Sequence, residues 1–406
     1  MKVLYRLILI ILLVIGWAGC ISCVPDVLPF SSGTAVDGEY TEIAYLSNRT
    51  GLMEIWLHNL NTGLEMQLTL TECSPHAGGY IPEGFRAGVQ RFRWSPDGQR
   101  IAYLTMCSPI DQGRLHIYEL RNGHKSLVVS NVDATGDFDW APSGKYLIFS
   151  AITRGTVFRV EIGEAEELRS EVVTRTLAAF PAWSPNGRYI AYRGPELGLP
   201  GTGSRTYLSI VDVGWHHLAY DPPPQPTGWG FPDTRSEWIA SPVSNGLAWS
   251  HSSRYLAIAS VREYVPGSLV LVEVAEQTAH KRSGISQHSF ELFGPDFYTP
   301  IFSPDDKTLY FVSVPSNAEY GSPFGSIYSV PVQDLLKNCS PSIRVVSPEG
   351  ILVGFPSLSP DGRWFLYAVK MDEVSEIWLQ AVESAHRQRL IGDGFVNIQP
   401  AWRPRP

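Results

Sequence analysis

Arg91 and Arg93, followed 46 residues later by Asp137 and Asp139, set opposite charges at corresponding places in two successive copies of a repeated strand. Charges so placed either polarise the mouth of a channel for a ligand or neutralise one another as a structural ion pair. A second group is aromatic. Trp215, Tyr220, Trp229, Phe231 and Trp238 stand among Pro222, Pro223, Pro224 and Pro226. Flat rings separated by Gly and Pro suit stacking on a sugar or on the apolar surface of a partner protein; the alternative is inward packing as a lid.

Covalent and metal chemistry leave little trace. A serine hydrolase of the nucleophile-elbow type needs Gly-x-Ser-x-Gly on a strand-to-helix turn, whereas Gly284-Ile285-Ser286-Gln287-His288 has no closing Gly and falls in a predicted strand. The neighbours His216 and His217 point to opposite sides of an extended chain, which opposes joint ligation. His-x-His and His-Glu-x-x-His do not occur, and Cys20-Ile21-Ser22-Cys23 belongs to an N-terminal signal. No catalytic residue, metal ligand or cofactor is assigned. Spacing does not address His residues converging on a channel from different repeats.

The elements that must position these groups follow from one stretch, Phe92 to Leu104. Trp94 ends an apolar-alternating run, Ser95-Pro96-Asp97-Gly98 has the composition of a tight turn, and Ile101-Ala102-Tyr103 returns as a strand. Aligned on the Trp, the copies stand at Trp94, Trp140, Trp183, Trp249, Phe302, Leu358 and Trp402, with spacings of 46, 43, 66, 53, 56 and 44. That is the period of a four-stranded propeller blade. Two positions earlier lie Phe92, Phe138, Pro181, Leu247, Pro300, Pro356 and Pro400. Proline recurring inside a strand marks an edge, which the innermost strand of a blade provides.

The last copy stops after its strand, and the unit beginning at Glu42 lacks only that strand. The expected fold is therefore all-β: a seven-bladed propeller of four-stranded antiparallel blades, with the first blade closed by the C-terminal strand. Six blades is the alternative, should the divergent copy at Trp249 be something else. Ser-Pro-Asp-Gly followed by Ile-Ala-Tyr, then Ile-Trp or Ile-Tyr, then Leu-Thr resembles the TolB-like β-propeller repeat, also seen in tricorn-type and prolyl-oligopeptidase-type propellers. The resemblance spans about residues 42 to 403. It implies the fold and a protein partner in the cell envelope, and no peptidase activity, because only the propeller is matched.

Lys2 and Arg6 precede an apolar run from Leu7 to Val14, the pattern of an export signal over residues 1–23. Trp17-Ala18-Gly19-Cys20 resembles a bacterial lipoprotein site, which implies a lipid on Cys20. Plain secretion and an uncleaved helix from Leu7 to Val24 are the rivals. Residues 24–41 read as a tether and 42–406 as the propeller. With 32 basic and 40 acidic side chains the net charge is −8, so there is no global footprint for nucleic acid.

Within a blade, the turns from first to second and from third to fourth strand share one face. The Ser-Pro-Asp-Gly face is short and uniform. The opposite face is expected to collect 71–89, 105–113, 194–205, 221–245, 262–267 and 315–323, and long loops are where binding concentrates. Cys73 and Cys107 emerge there from adjacent blades and are expected to form a disulfide, leaving Cys339 as a free thiol. The function so implied is a monomeric, lipid-anchored scaffold at the cell envelope, binding an envelope protein or a carbohydrate. The alternatives are a carbohydrate-active hydrolase or lyase with its site at the channel mouth, and a membrane-anchored sensor ectodomain.

Overall fold

A Ser-Pro-Asp-Gly turn or a variant of it follows the innermost strand of most blades, and the side chains of the intact motif hold its shape. The buried Ser95 hydroxyl donates to Asp97 Oδ1 at 2.5 Å and accepts the Arg100 N–H at 2.9 Å. Asp97 Oδ1 also accepts the Gln99 N–H at 3.0 Å, and the Gly98 N–H closes the turn on the Ser95 carbonyl at 2.8 Å. Ser184 with Asn186, Ser303 with Asp305 and Ser359 with Asp361 repeat the arrangement. Ala141 takes the serine position in one copy, and its turn keeps the main-chain bonds and one side-chain bond, from the Lys145 N–H to Ser143 Oγ at 3.3 Å. Gly98 is demanded twice over: its φ is +63°, and a Cβ there would lie 2.1 Å from the Pro404 carbonyl oxygen.

The structure is a computed structural model that describes residues 41–73, 85–108, 112–132, 137–151, 156–163, 170–173, 179–195, 205–213, 233–234, 246–260, 267–274, 285–294, 296–315, 322–337, 341–384 and 386–405. The export signal, Cys20, most of the tether and Cys339 lie outside them. From the innermost strand outward, blade I is Asn397–Trp402, Glu42–Ser47, Glu54–Asn59 and Glu65–Gln67. Blade II is Gly88–Trp94, Arg100–Met106, Gly113–Glu119 and Lys125–Val132, and blade III is Phe138–Trp140, Tyr146–Ala151, Thr156–Glu161 and Ser170–Val172. Blade IV is Ala179–Trp183, Tyr189–Pro195, Arg205–Asp212 and Asp233–Thr234; blade V is Leu247–Trp249, Tyr255–Ser260, Gly267–Val274 and Ile285–Gly294. Blade VI is Asp296–Phe302, Thr308–Val314, Ser326–Pro331 and Arg344–Val345; blade VII is Val353–Leu358, Trp364–Lys370, Ser375–Ala381 and Arg387–Ile391. All neighbours within a blade are antiparallel. The copy at Trp249 heads a full blade, so the count is seven. A single pair, Val132 with Ala151, continues the sheet from blade II into blade III. One short helix, Val332–Leu336, occurs among the described residues.

The core lies between blades. Phe92, Trp94 and Tyr103 of blade II pack with Ala44, Leu46, Ile55 and Leu57 of blade I, and Trp140 and Phe138 of blade III pack with Leu104, Leu115 and Ile117 of blade II. The Trp side chains also staple the ring. Trp140 Nε1 donates to the Arg93 carbonyl, Trp249 Nε1 to the Ala182 carbonyl and Trp402 Nε1 to the Ser357 carbonyl, each at 3.2 Å and each the residue before the preceding blade's Trp position. Burial of so large a ring with its N–H satisfied is worth several kcal/mol per junction.

Four inner strands share one distortion, and that of blade II shifts register by itself between Val89 and Arg91. In blades I, IV, VI and VII the residue before the recurring proline takes a left-handed backbone, with φ of +52° at Gln399, +53° at Phe180, +47° at Thr299 and +54° at Phe355. The ladder shifts register there, so these strands are bulged. Blades II and III have Phe92 and Phe138 in place of proline, and Arg91 and Asp137 keep negative φ.

Candidate functional site

The charged cluster sits at the inner edge of the interface between blades II and III, where those two inner strands face each other. Arg93 Nη2 donates to Asp137 Oδ2 at 2.8 Å, and Arg91 Nη1 lies 3.6 Å from the same oxygen. Asp137 also accepts the Phe138 N–H through Oδ1 at 2.9 Å and is 1% exposed. Asp139 turns the other way: Oδ1 accepts the Trp140 N–H at 3.0 Å and Oδ2 the Trp183 N–H of blade IV at 2.8 Å. One strand therefore ties three blades together. The Trp183 indole N–H, unlike those of Trp140, Trp249 and Trp402, closes locally on the Gly187 carbonyl at 3.1 Å.

Environment drives the two carboxyl groups apart. Burial alone would raise Asp137, but the Arg93 and Arg91 charges and the bonds from Arg93 and the Phe138 N–H hold it below the usual carboxylate range. Burial raises Asp139, and the more distant Arg93 charge and its two N–H donors do not offset it. Arg93 is raised, because Asp137 and Asp139 outweigh the desolvation that opposes its charge. Its side chain keeps 34% of its surface accessible while lying deep within the protein, as a group lining an internal channel must. Sequence spacing places all four residues at one locus, and Gln399, whose amide donates to the Gln90 carbonyl at 3.0 Å, adds blade I to it. Nothing in the pattern around Gln399 distinguishes it beforehand.

A disulfide joins Cys73 and Cys107, with Cα atoms 5.3 Å apart. The approach to Cys73 is fixed by Glu54, which is 1% exposed and accepts from Thr69 Oγ1 at 2.5 Å and from the Thr71 N–H at 2.6 Å. The bond closes a loop of 34 residues. Replacing both cysteines by serine is expected to lower unfolding stability by about 2–4 kcal/mol. Denaturant midpoints of the two forms check this, and intact mass after alkylation without reduction should show neither thiol modified.

Trp215, Tyr220, Trp229, Phe231 and Trp238 lie outside the described residues, as do most of the connections expected to form the long-loop face. The pairing of Asp233–Thr234 with Arg205–Thr206 nevertheless corrects one expectation: the stretch 221–245 is not a single connection but contains the outer strand of blade IV, so the chain from Asp212 to Asp233 joins third to fourth strand and starts and ends on the Ser-Pro-Asp-Gly face, not the long-loop one. Two residues carry no periodicity from which a strand is read. Among the described residues, no three His, Cys, Asp or Glu side chains are grouped to hold a metal ion, and no helix is long and apolar enough to cross a membrane.

A closed ring of seven four-stranded antiparallel blades defines the class: a seven-bladed β-propeller. No protein-family model matches the sequence, and no curated protein does. Among solved structures, a candidate 6-phosphogluconolactonase from Bacteroides fragilis shares the fold with a TM-score of 0.50 at 12% identity, over 92% of this chain and 99% of that one. One from Bacteroides uniformis does so with a TM-score of 0.50 at 13% identity, over 89% and 97%. TolB from Acinetobacter baumannii aligns with a TM-score of 0.49 at 13% identity, over 91% of this chain and 68% of that one.

Proposed function

We propose that this protein is a TolB-like propeller exported to the cell envelope, anchored there by a lipid on Cys20, and that it serves as a monomeric scaffold binding an envelope protein or a carbohydrate ligand. The observation that carries the reading is the construction of blade IV. Its third strand ends at Asp212 and its outer strand is Asp233–Thr234, whereas blades I, II and VII join the same two strands by single short turns. The additional chain holds four of the five clustered aromatic residues. Rings that the blade does not need for pairing are suited to a partner's surface. The export signal and the Ser-Pro-Asp-Gly repeat support the location and the family.

Affinity capture from envelope extract tests the reading, comparing the unaltered protein with a variant in which Trp215, Tyr220, Trp229, Phe231 and Trp238 are all alanine and Asp233–Thr234 is kept. A protein recovered only with the unaltered chain, or saturable binding of an envelope polysaccharide lost in the variant, is the expected result. Equal recovery by both chains would sink it. Mass spectrometry of the mature N-terminus checks the lipid on Cys20.

A further inference from the structure

The channel wall is uneven in a way that suits a particular kind of guest. At the two places three and one residues before the repeat's Trp, blades II and III carry Arg91, Arg93, Asp137 and Asp139. Blades IV, V and VI carry Phe180 and Ala182, Gly246 and Ala248, and Thr299 and Ile301, of which Phe180, Ala248, Thr299 and Ile301 are partly exposed. From blade IV to blade VI these places are thus apolar apart from Thr299, in contrast to the charged ones of blades II and III. Arg93 is the charged group open to a visitor: Nη2 is engaged by Asp137, Nε and Nη1 have no acceptor among the described residues, and a third of the side chain is accessible.

We propose that the channel binds a small monocarboxylic acid, its carboxylate on the free edge of the Arg93 guanidinium beside Asp139, and its hydrocarbon part against the apolar wall. Asp137 holds the guanidinium plane in place, and a guanidinium edge matches a carboxylate in two parallel bonds. Charge balance selects a monoanion. Arg91 and Arg93 bring two positive charges, Asp137 and Asp139 two negative ones. An incoming carboxylate is matched only when Asp139 takes up a proton, and the neutral carboxyl then donates its O–H to the guest. Burial already favours that form of Asp139. The groups facing Asp139 among the described residues are Arg93 from blade II, Asp137 from its own strand and the Trp183 N–H from blade IV. Arg93 stays charged and Asp137 is held ionised, so Asp139 alone supplies the pH response. A dianion such as sulfate would leave a negative charge unmatched in a buried place. This site is separate from the aromatic residues of blade IV and stands or falls without them.

Calorimetric titration of the full chain with butyrate and benzoate, and with sulfate for comparison, tests the proposal. Both acids should bind saturably, tightening by up to about tenfold for each unit of pH lowered and taking up one proton per molecule bound, read from heats in buffers of different ionisation enthalpy. Arg93→Met combined with Asp137→Asn should abolish binding while removing one charge of each sign from the cluster. Asp139→Asn should bind with no pH dependence, because its amide is a permanent neutral donor. Absence of saturable binding by either acid near pH 5, sulfate binding as tightly as butyrate, or undiminished binding in a folded paired variant would each overturn it. Should the paired variant not fold, the Asp139→Asn titration decides: a pH dependence retained there overturns the proposal.

Discussion

Asp137→Ala is expected to lower unfolding stability by about 3 kcal/mol, the lower end of the range for removing one member of a buried ion pair. The carboxylate is the shared counter-charge of Arg91, which is 8% exposed, and Arg93. Without it two guanidinium groups remain beside each other, and only Arg93 has access to channel water. A second term adds to the first, since the Phe138 N–H loses its acceptor in a fully buried strand. Equilibrium denaturation at neutral pH measures the loss, and Arg93→Met added to Asp137→Ala should recover part of it, because the pair and not the separate charges is the stabilising unit. A loss below about 1 kcal/mol would show that the charges are solvated rather than paired. The pH dependence has two opposed parts. Asp137 is depressed in the folded state, so its contribution is complete above the unfolded carboxyl value and disappears as pH falls through the folded one. Asp139 is raised, so it binds a proton more tightly when folded, and its contribution weakens as pH rises from the unfolded value through the folded one. In Asp139→Asn the second part should vanish, leaving stability that only falls on acidification.

These two carboxylates also mark where sequence stops being informative. The repeat is legible because its chemistry is local: Ser95 and Asp97 bond to atoms at most five residues away, so the same letters must recur wherever the turn recurs. The Trp positions are legible for the same reason, each being the large ring at the end of the strand before that turn. The pairing of Arg93 with Asp137 follows once the copies are aligned. What is not legible depends on contacts distant along the chain. The left-handed residues Phe180, Thr299, Phe355 and Gln399 are neither Gly nor Asn, and each except for its following proline looks like ordinary strand. Arg49 is another case. It stacks 4.3 Å over the Trp56 ring and pairs with Glu65 at 2.5 Å and Asp393 at 3.0 Å, joining residues from both ends of the chain. Burial opposes ionisation of Glu65, yet bonds from His58, Arg49 and Tyr45 bring it down to about 2. No spacing announces that cluster.

Removing residues 397–406 is expected to abolish cooperative folding altogether. Glu42–Ser47 would lose its inner partner, the pairs Ile43 with Trp402, Ala44 with Ala401, Leu46 with Ile398 and Ser47 with Asn397. Ile43, Ala44 and Tyr45 are completely buried in the ring, so the stripped strand would expose both its main-chain groups and an apolar face. The closure is clasped on both faces. On one, the Val396 N–H donates to Asn48 Oδ1 at 2.8 Å; on the other, Arg403 pairs with Glu42, donates to the Gly98 carbonyl at 2.8 Å and stacks over Trp94. The milder Trp402→Ala keeps the strand but removes a side chain 5% exposed and the indole bond to the Ser357 carbonyl, an expected cost of about 3–5 kcal/mol. Loss of that bond separates blade I from blade VII, so hydrogen exchange should quicken first in Glu42–Ser47 and Val353–Leu358, before blades III to V respond. Exchange that quickens uniformly would mean the ring opens as a whole. A truncated chain that unfolds at the unaltered midpoint would mean that the seventh junction contributes nothing to holding the other six.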